Sequence, residues 1–382
     1  MSEIRDDYDV AIVGAGPAGL AAASLCARSG LATVLFDRQS TPGGRIYHAV
    51  TESPLRDRAI LGPDYWQGEA LVQQFLASGA QYVPGATVSS LTPDLEIGVS
   101  LQGCTTLARA DSVVLATGAL ERPFPIPGGT LPGVTTAGVA QALLKSSGQV
   151  VQGRTVLAGS GPLLWLVAAQ YLAAGASIDA LLDTTPRENR GRSLRHLPGF
   201  LFSPYFRRGL QLLRAVRGKV PIVRQVSELR AEGSGKVESV SFRTAEGGAR
   251  TLAVDTLLLH QGVVPDVTLT MSAGAAHRWD DAQLCWTPVV DPNGGTSLRG
   301  ILVAGDGAGI AGGQAAAWRG VLAGSAVVQS MRPGHHRSTA KLARTALAQF
   351  GRGRKFIDAL YRPAKSMLPD DGAAIEAAAR IQ

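Results

Sequence analysis

Glycines at a fixed spacing form the first group of residues that could do chemistry, and their spacing suits a bound dinucleotide. After an apolar run the chain reads GAGPAG at residues 14–19. In this pattern Gly14 permits a tight turn, Gly16 lets a pyrophosphate approach the backbone, and Gly19 lets a helix pack closely on the strand. The positions expected to lie at the phosphates are Gly14, Gly16, Pro17, Ala18 and Gly19.

An acid completes this unit. A second apolar run, residues 32–36, ends at Asp37, with Arg38 beside it. A carboxylate at this place can accept hydrogen bonds from a ribose. Because both the pyrophosphate turn and the ribose acid are present, the sequence predicts stoichiometric FAD rather than FMN. A glycine-rich turn of purely structural purpose is the alternative.

Three further segments suit the rest of such a cofactor. PGGR at residues 42–45 predicts a glycine pair on the flavin side with an arginine near phosphate or ring oxygens, or else an ordinary surface turn. VVLATGA at 113–119 predicts a strand ending in a small turn beneath the cofactor. GILVAGDG at 300–307 ends in an acid that could accept from a ribityl hydroxyl or only cap a helix. The glycine-rich helix start behind it would stabilise negative charge on the reduced flavin. Val88 is a candidate for backbone contact with the adenine, or else a plain edge-strand residue. The other candidate cofactor residues in these segments are Gly43, Gly44, Arg45, Ala116, Thr117, Gly118, Gly305, Asp306, Gly313 and Gln314.

A second glycine pair follows an apolar run in AGSGPLLWLVAAQ, residues 158–170. Leu164 stands where a third small residue is expected and should keep the helix from packing as closely on the strand. Asp183 follows the next strand-like run, and Arg187 is the nearest candidate for an NADP phosphate. We expect a domain that keeps the nucleotide fold, holds ATP or weakly NAD(P), and reacts poorly with NADH. The tentative second site comprises Gly159, Ser160, Gly161, Pro162 and Asp183.

These signals predict an α/β fold with two Rossmann-like dinucleotide-binding domains, the second inserted in the first. Residues 1–121 and 267–330 are expected to form the FAD domain, residues 122–266 the inserted NAD(P)-like domain, and residues 331–382 a basic helical tail at a subunit interface.

Composition describes a soluble globular protein, since 45% of the residues are hydrophobic and 18% charged. The formal charge is +7, with basic residues concentrated at 187–219 and 332–365. We interpret them as a solvated surface or a docking face for an acidic protein partner. Nucleic acid is disfavoured because no recognised binding motif accompanies the charge.

The other side chains give few indications of a catalytic or metal-binding site. No nucleophile–histidine arrangement or metal motif is recognisable, so the catalytic residues stay unknown and no metal is expected. The three cysteines lie far apart, which suits a reducing compartment and argues against a [2Fe–2S] cluster on this chain. His260, at the end of a predicted strand, is expected to be a satisfied structural residue. Five rings are expected to pack as a small lid: His196, Phe200, Phe202, Tyr205 and Phe206.

One uncharged run, residues 10–27, approaches the length of a membrane helix. Its glycine pattern and the acidic residues before it favour a buried strand, turn and helix. We therefore expect no transmembrane segment and no targeting segment. Cytoplasmic location is the expectation, with peripheral attachment to the inner membrane through a complex as the alternative.

The order GAGPAG, PGGR, ATGA, a second GxG and AGDG resembles the two-dinucleotide-domain flavoprotein reductases over nearly the whole chain. PGGRIYH, LAGSGPLLWLVA, TSLRGILVAGDGAGIAGG and FIDALYRP are similar to a narrower group. That group holds the FAD-containing subunits of bacterial heteromeric dehydrogenases: the A subunit of opine oxidases, the B subunit of hydrogen cyanide synthase and the alpha subunit of D-hydroxyproline dehydrogenase.

This resemblance implies an electron-handling subunit of an oxidoreductase that passes electrons to a quinone or a similar acceptor. A partner similar to D-amino-acid dehydrogenases, itself a catalytic FAD subunit, would oxidise the C–N bond of an amino acid, imino acid or opine. Relatives often end in a cysteine-rich [2Fe–2S] domain, so the resemblance also implies a cluster on a small separate [2Fe–2S] subunit or on a C-terminal portion that this sequence does not include. A stand-alone NAD(P)H-dependent FAD oxidoreductase and a non-catalytic nucleotide-binding scaffold are the alternatives.

Overall fold

In the computed structural model of the chain, residues 4–364 are described. The strands are β1 (Asp7–Val13), β2 (Thr33–Asp37), β3 (Gln81–Pro84), β4 (Thr87–Leu91), β5 (Glu96–Leu101), β6 (Cys104–Leu115), β7 (Ala119–Glu121), β8 (Val134–Thr136), β9 (Thr155–Ser160), β10 (Ala180–Asp183), β11 (Ile222–Arg224), β12 (Ser227–Glu232), β13 (Ser239–Arg243), β14 (Ala249–Ala253), β15 (Thr256–Gln261), β16 (Val263–Pro265), β17 (His277–Asp280), β18 (Cys285–Pro288) and β19 (Ile301–Val303).

The helices are α1 (Pro17–Arg28), α2 (Pro63–Leu76), α3 (Ala137–Ser147), α4 (Pro162–Ala173), α5 (Arg187–Leu194), α6 (Leu197–Leu201), α7 (Pro204–Val216), α8 (Thr268–Ser272), α9 (Gly313–Met331) and α10 (Arg337–Leu360). A short 3₁₀ turn at Gly305–Ala308 precedes α9.

The chain divides into two compact units. The first contains the residues up to Leu120 and the stretch Val264–Arg354. The second contains Glu121–Val263 and the segment that begins at Lys355. The predicted α/β class, with a second dinucleotide-type unit inserted in the first, is confirmed. The predicted C-terminal helix is present as α10.

The first unit is built on a seven-stranded sheet with the order β3-β2-β1-β6-β5-β4, in which β19 also pairs with β6. Strand β6 is 12 residues long and pairs with three strands. Its beginning pairs antiparallel with β5, and its end pairs parallel with β1 and β19. Strand β2 is buried along its whole length, as expected for a parallel strand covered on both faces. The carboxyl ends of β1, β2, β6 and β19 therefore reach one edge, where the segments that follow them can share a ligand.

Helices α1 and α9 pack with their backbones in contact. A Cβ atom on Gly320 would lie 2.0 Å from the carbonyl oxygen of Ala18. The beginning of α10 then packs on α9, through Ala340 and Ala343 against Leu322. Small residues at these helix contacts hold α1 in position, and the first glycine turn lies at the amino end of α1.

The second unit is built on a parallel sheet with the order β11-β10-β9-β15-β8. Helix α3 connects β8 to β9, and α4 connects β9 to β10, so the first two crossovers are helical as in a nucleotide-binding fold. The antiparallel sheet β12-β13-β14 covers one face. Leu229 and Phe242 of that small sheet share a buried core with Val156 and Leu257 of the large one.

Across residues 4–364, no helix combines the length and the apolar character needed to cross a membrane. The uncharged run noted in the sequence folds as β1, a turn and α1.

Candidate dinucleotide-binding sites

The first glycine turn joins β1 to α1 under tight packing. A Cβ atom on Gly14 would lie 2.5 Å from the carbonyl oxygen of Ala116. A Cβ atom on Gly19 would lie 1.8 Å from the carbonyl oxygen of Gly14. Around Gly16, by contrast, a Cβ atom would meet nothing within 4 Å. Gly14 and Gly19 are therefore required by the protein itself, whereas Gly16 leaves a space that suits a ligand.

The amino end of α1 faces this space without a cap. Gly16 is the N-cap residue and Pro17 occupies the first turn, which contains no acidic residue and no side-chain cap. The backbone N–H groups at the start of a helix and its dipole favour an anion. The predicted phosphate residues Gly14, Gly16, Pro17, Ala18 and Gly19 thus meet at one helix end, as a pyrophosphate requires.

Asp37 lies at the end of β2 and is 7% exposed. Its Oδ1 accepts a hydrogen bond from the Gln39 amide at 3.2 Å, while its Oδ2 has no partner among the described residues. Burial raises the pKa of Asp37, and the backbone amides of Gln39 and Ala15 partly oppose that rise. A buried carboxylate oxygen without a donor is costly. A ribose hydroxyl would supply the missing donor, so this residue fits the adenosine part of FAD.

The PGGR loop lies directly over the turn. The Gly43 amide donates to the carbonyl oxygen of Ala15 at 2.8 Å. A Cβ atom on Gly44 would lie 2.7 Å from the Cα atom of Gly16, so only glycine allows this approach. Arg45 is exposed, and its contact with phosphate or ring oxygens stays a prediction.

The segment after β6 lies against the first glycine turn, where Ala116 contacts Gly14. Thr117 donates from Oγ1 to the carbonyl oxygen of Asp266 at 2.9 Å, and the Asp266 amide donates to Gly118 at 3.0 Å. Val88 lies in the edge strand β4 and packs against the core. Its contact with adenine through backbone atoms stays a prediction, as does the role of Arg38, which is exposed.

Asp306 follows β19 and is 8% exposed. Its Oδ1 accepts from the amides of Ala311 at 2.8 Å and Gly312 at 3.0 Å, so one carboxylate oxygen fixes the loop before α9. The capping role is therefore present, and the ribityl contact stays a prediction. Gly305 comes before Asp306, and Gly313 opens α9, where Gln314 donates from Nε2 to Gln67 Oε1 at 3.0 Å.

Arg319 is a site residue that was not predicted from the sequence. Its guanidinium donates to the carbonyl oxygens of Gly305, at 2.9 Å, and Gly309. It therefore fixes the turn that carries Asp306. The signal was available, because Arg319 is the only charged residue in α9.

The second glycine turn joins β9 to α4. Gly159 and Ser160 end the strand, Gly161 is the N-cap residue, and α4 begins at Pro162. Leu164 stands five residues after the first glycine, as Gly19 does in the first turn, and is 1% exposed. The neighbouring Trp165 is also buried. This helix therefore packs through large side chains where α1 packs through glycine.

Asp183 ends β10 and is buried, with Oδ1 accepting from the Thr185 amide at 3.0 Å. Nearby, Asn189 donates from Nδ2 to the carbonyl oxygens of Leu360 at 3.1 Å and Arg362 at 2.7 Å. The end of α10 is thus fixed to the second unit next to the predicted second site. No local pattern in the sequence indicates this, because the contacts join residues about 170 positions apart.

The predicted lid is packed in part. Phe200 stacks on Phe356 with ring centroids 4.2 Å apart and meets Phe206 edge-on at 5.8 Å. Phe202, however, is 88% exposed and does not pack within the lid. His260 is buried and paired with Glu121 at 2.6 Å, as a structural histidine would be.

The Asp37→Ala variant is expected to hold FAD more weakly. A charge-assisted hydrogen bond to the ribose is worth about 1.5–3 kcal/mol, which is roughly a 10- to 150-fold rise in Kd. Titration of the flavin-free chain with FAD measures it. Asp94→Ala is the matched control, since Asp94 is exposed in the β4–β5 turn. An unchanged FAD affinity in Asp37→Ala would remove Asp37 from the site.

The chain matches known proteins over most of its length. The profile of the family described as pyridine nucleotide-disulphide oxidoreductase matches residues 8–347. The A subunit of opine oxidase from Agrobacterium tumefaciens is 43% identical over 96% of this chain and 75% of its own length. Hydrogen cyanide synthase subunit HcnB of Pseudomonas aeruginosa is 32% identical over 83% of this chain and 70% of its own length.

Two solved structures share the fold. L-proline dehydrogenase from P. horikoshii matches with a TM-score of 0.67 at 20% identity, over 91% of this chain but only 60% of that chain. T. acidophilum thioredoxin reductase matches with a TM-score of 0.58 at 19% identity, over 94% of this chain and 99% of that chain. The family match over residues 8–347 and the opine oxidase relative show that the chain is an FAD-dependent oxidoreductase. It belongs to the pyridine nucleotide-disulphide oxidoreductase family and, within it, to the group of FAD-containing subunits that includes the A subunit of opine oxidase.

Proposed function

We propose that this chain is the FAD-binding, electron-handling subunit of a heteromeric dehydrogenase that oxidises the C–N bond of an amino acid, imino acid or opine. The 43% identity to the opine oxidase A subunit over 96% of the chain carries the proposal. The contrast between the two glycine turns supports it. The first has the space and the buried acid that FAD needs, whereas the second departs from the glycine pattern at Leu164.

Bound FAD would supply the redox chemistry, and the chain would supply position and electrostatics. The amino end of α1 would bind the pyrophosphate, Asp37 would orient the ribose, and the amino end of α9 would favour negative charge on the flavin. Arg319 would keep that end in place through Gly305. Among residues 4–364 no three His, Cys, Asp or Glu side chains are grouped as a metal site would require.

The partners belong to the proposal. A catalytic subunit similar to D-amino-acid dehydrogenases would take the substrate, and a small [2Fe–2S] protein would relay electrons towards a quinone or similar acceptor. Cys26, Cys104 and Cys285 form no disulfide among the described residues, and Cys26 and Cys285 are buried. A [2Fe–2S] cluster needs four suitably placed ligands, which three cysteines cannot supply, so we propose that a separate small subunit or a part of the protein outside this sequence holds it. A complex of this kind could also hold the chain at the inner membrane.

We further propose that the second unit does not deliver hydride from NADH or NADPH. The second nucleotide foreseen from the sequence, ATP or a weakly held NAD(P), stays a prediction.

Purification of the chain alone and with its partner subunits tests the function. Reduction of an electron-accepting dye by D-amino acids, hydroxyproline, glycine or opines is expected only when the catalytic partner is present. Full turnover by the isolated chain would place the substrate chemistry here and overturn the proposal.

Reversal of charge on α10 is expected to weaken assembly. Arg352 and Lys355 are exposed, whereas Arg354 is partly buried and has other contacts, so the first two are the cleaner targets. Lys365, the last residue of the basic stretch 332–365, lies outside the described residues, as does the rest of the predicted tail to residue 382. Because basic residues steer an acidic partner, Arg352→Glu/Lys355→Glu should lower affinity most at low salt.

Co-purification and sedimentation at two salt concentrations measure this effect. Arg250→Glu, an exposed change in β14, is the matched control. FAD content should stay unchanged in both variants. Normal assembly of the double variant at low salt would remove α10 from the interface.

A further inference from the structure

The two glycine turns of this chain can be compared through what lies against their first glycines. A Cβ atom on Gly14 would lie 2.5 Å from the carbonyl oxygen of Ala116. A Cβ atom on Gly159 would lie 1.7 Å from the carbonyl oxygen of His260. His260 in β15 is therefore the counterpart of Ala116, which follows β6. A small residue under the first turn is replaced by an imidazole under the second.

The imidazole changes the space at the second glycine of the turn. Around Gly16 a Cβ atom would meet nothing within 4 Å. On Gly161 a Cβ atom would lie 3.2 Å from Nε2 and 3.3 Å from Cδ2 of His260. At this glycine a pyrophosphate must approach the backbone. The ring of His260 therefore lies where the first turn leaves room for the cofactor.

Glu121 holds the ring in this position. Its Oε1 lies 2.6 Å from Nδ1 of His260, and its Oε2 accepts from the Gly138 amide at 3.1 Å in the first turn of α3. A Cβ atom on Gly138 would lie 2.4 Å from Oε2, so this glycine lets the carboxylate reach the helix. His260 is 2% exposed. Rotating the ring away would break this short hydrogen bond to Glu121, whose side chain is only 12% exposed, which is unfavourable.

Another segment of this protein lies near the place where the ribose of a nucleotide at the second turn would bind. Asn189 holds the backbone on both sides of Tyr361, through Leu360 and Arg362. Although part of the residue is accessible, burial raises the pKa of Tyr361, and the nearby charge of Asp183 raises it further. The backbone around Tyr361 is thus held by α5, the helix that follows β10 and Asp183.

We propose that the second turn is closed to dinucleotides by the chain itself, with His260, held by Glu121, in the place of a pyrophosphate at Gly161 and the segment around Tyr361, held by Asn189, at the ribose end. This inference rests on the proposed function, because it explains how the flavin is reserved for electrons from a partner subunit. ATP would use the same turn for its phosphates, so this closure would replace the sequence prediction that the second turn holds ATP or weakly NAD(P).

Titration calorimetry of the FAD-loaded chain with NADH, ADP-ribose and ATP tests the closure. The Glu121→Gln/His260→Ala variant gives the second turn the alanine found in the first and leaves no carboxylate without its histidine partner. It is expected to bind ADP-ribose and NADH at least about tenfold more tightly than the unchanged chain. A triple variant that adds Tyr361→Ala should bind more tightly again.

Two controls separate the effect of removing the ring from the effect of changing the charge at Glu121 and from the effect of misfolding. Glu121→Gln alone keeps the ring and should bind no better than the unchanged chain. Circular dichroism and FAD content report folding, and His260→Ser replaces the double variant in the titration if that variant unfolds. Serine frees the space of the ring and keeps a hydroxyl for Glu121.

Equal affinity in the unchanged chain and in every folded variant that lacks the ring would overturn the closure. Weaker binding after removal of His260 would also overturn it, because the imidazole would then be a phosphate donor. NADH binding to the unchanged chain without loss of flavin absorbance would sink this inference alone. Rapid loss of flavin absorbance with NADH would overturn the proposed function as well.

Discussion

The Gly16→Ala variant is expected to fold normally and to purify without colour. Gly16 has φ −73° and ψ 179°, which alanine adopts without strain, and a Cβ atom there meets no protein atom within 4 Å. The same Cβ atom would occupy the space through which a pyrophosphate approaches the backbone. Overpacking of this kind costs about 1–3 kcal/mol, which is roughly a 5- to 150-fold rise in the Kd for FAD.

Gly19→Ala is the informative contrast. Its Cβ atom would lie 1.8 Å from the carbonyl oxygen of Gly14, so strand and helix must separate. This variant should lose thermal stability as well as FAD, whereas Gly16→Ala should lose only FAD. The flavin-to-protein absorbance ratio and the unfolding temperature of the flavin-free chains separate the two effects. A yellow Gly16→Ala protein with the normal ratio would show that the cofactor lies elsewhere.

A second large effect is expected at Lys145, whose Nζ donates to Gln141 Oε1 at 3.0 Å inside the second unit. Burial, together with the positive charge of Arg208, lowers the pKa of this lysine from 10.5 to about 7. The folded chain therefore disfavours the protonated amine. Since each pKa unit is worth about 1.4 kcal/mol, the penalty is at most about 5 kcal/mol.

The sign of the pH dependence follows from the lowered pKa. Below pH 7 the amine is protonated in both the folded and the unfolded chain, and the full penalty acts. Between pH 7 and 10.5 the unfolded chain binds more protons than the folded one, so stability should rise with pH. Lys145→Met removes the titrating group, so it should raise stability at neutral pH and flatten this rise.

Thermal unfolding across that pH range measures the effect. Lys145→Met also leaves Gln141 without a donor, which offsets about 1–3 kcal/mol of the gain, so the loss of pH dependence is the sharper readout. Lys219→Met is the matched control, because Lys219 is exposed. An equal pH dependence in the unchanged chain and in Lys145→Met would show that the amine stays protonated inside the fold.

The parts of the site that could be predicted from sequence are those encoded locally. The first turn has its strand, glycines, helix and acid within residues 8–37, and the structure places these groups together. Asp306 was recognisable because it directly follows an apolar strand. Leu164 was recognisable as a departure because its place in the pattern is fixed by the two preceding glycines.

The remaining contacts depend on tertiary structure. Glu121 and His260 are 139 residues apart, and neither belongs to a local motif. Parallel pairing of β15 with β9 brings His260 under Gly159. The burial of Lys145 could not be predicted, because nothing in the apolar sequence around it shows that the amine points into the fold. Such pairs become visible only when the sheet order is known.

The most direct test of the proposed function is the source of the electrons that reach the flavin. The FAD-loaded chain is mixed without oxygen with stoichiometric NADH or NADPH, and the flavin absorbance is followed by stopped flow. The same record is taken with the catalytic partner and an oxidisable amino acid, imino acid or opine. We predict stable flavin absorbance with either nicotinamide and rapid loss with partner and substrate together. Rapid loss in the isolated chain with NADH or NADPH would contradict the proposed function.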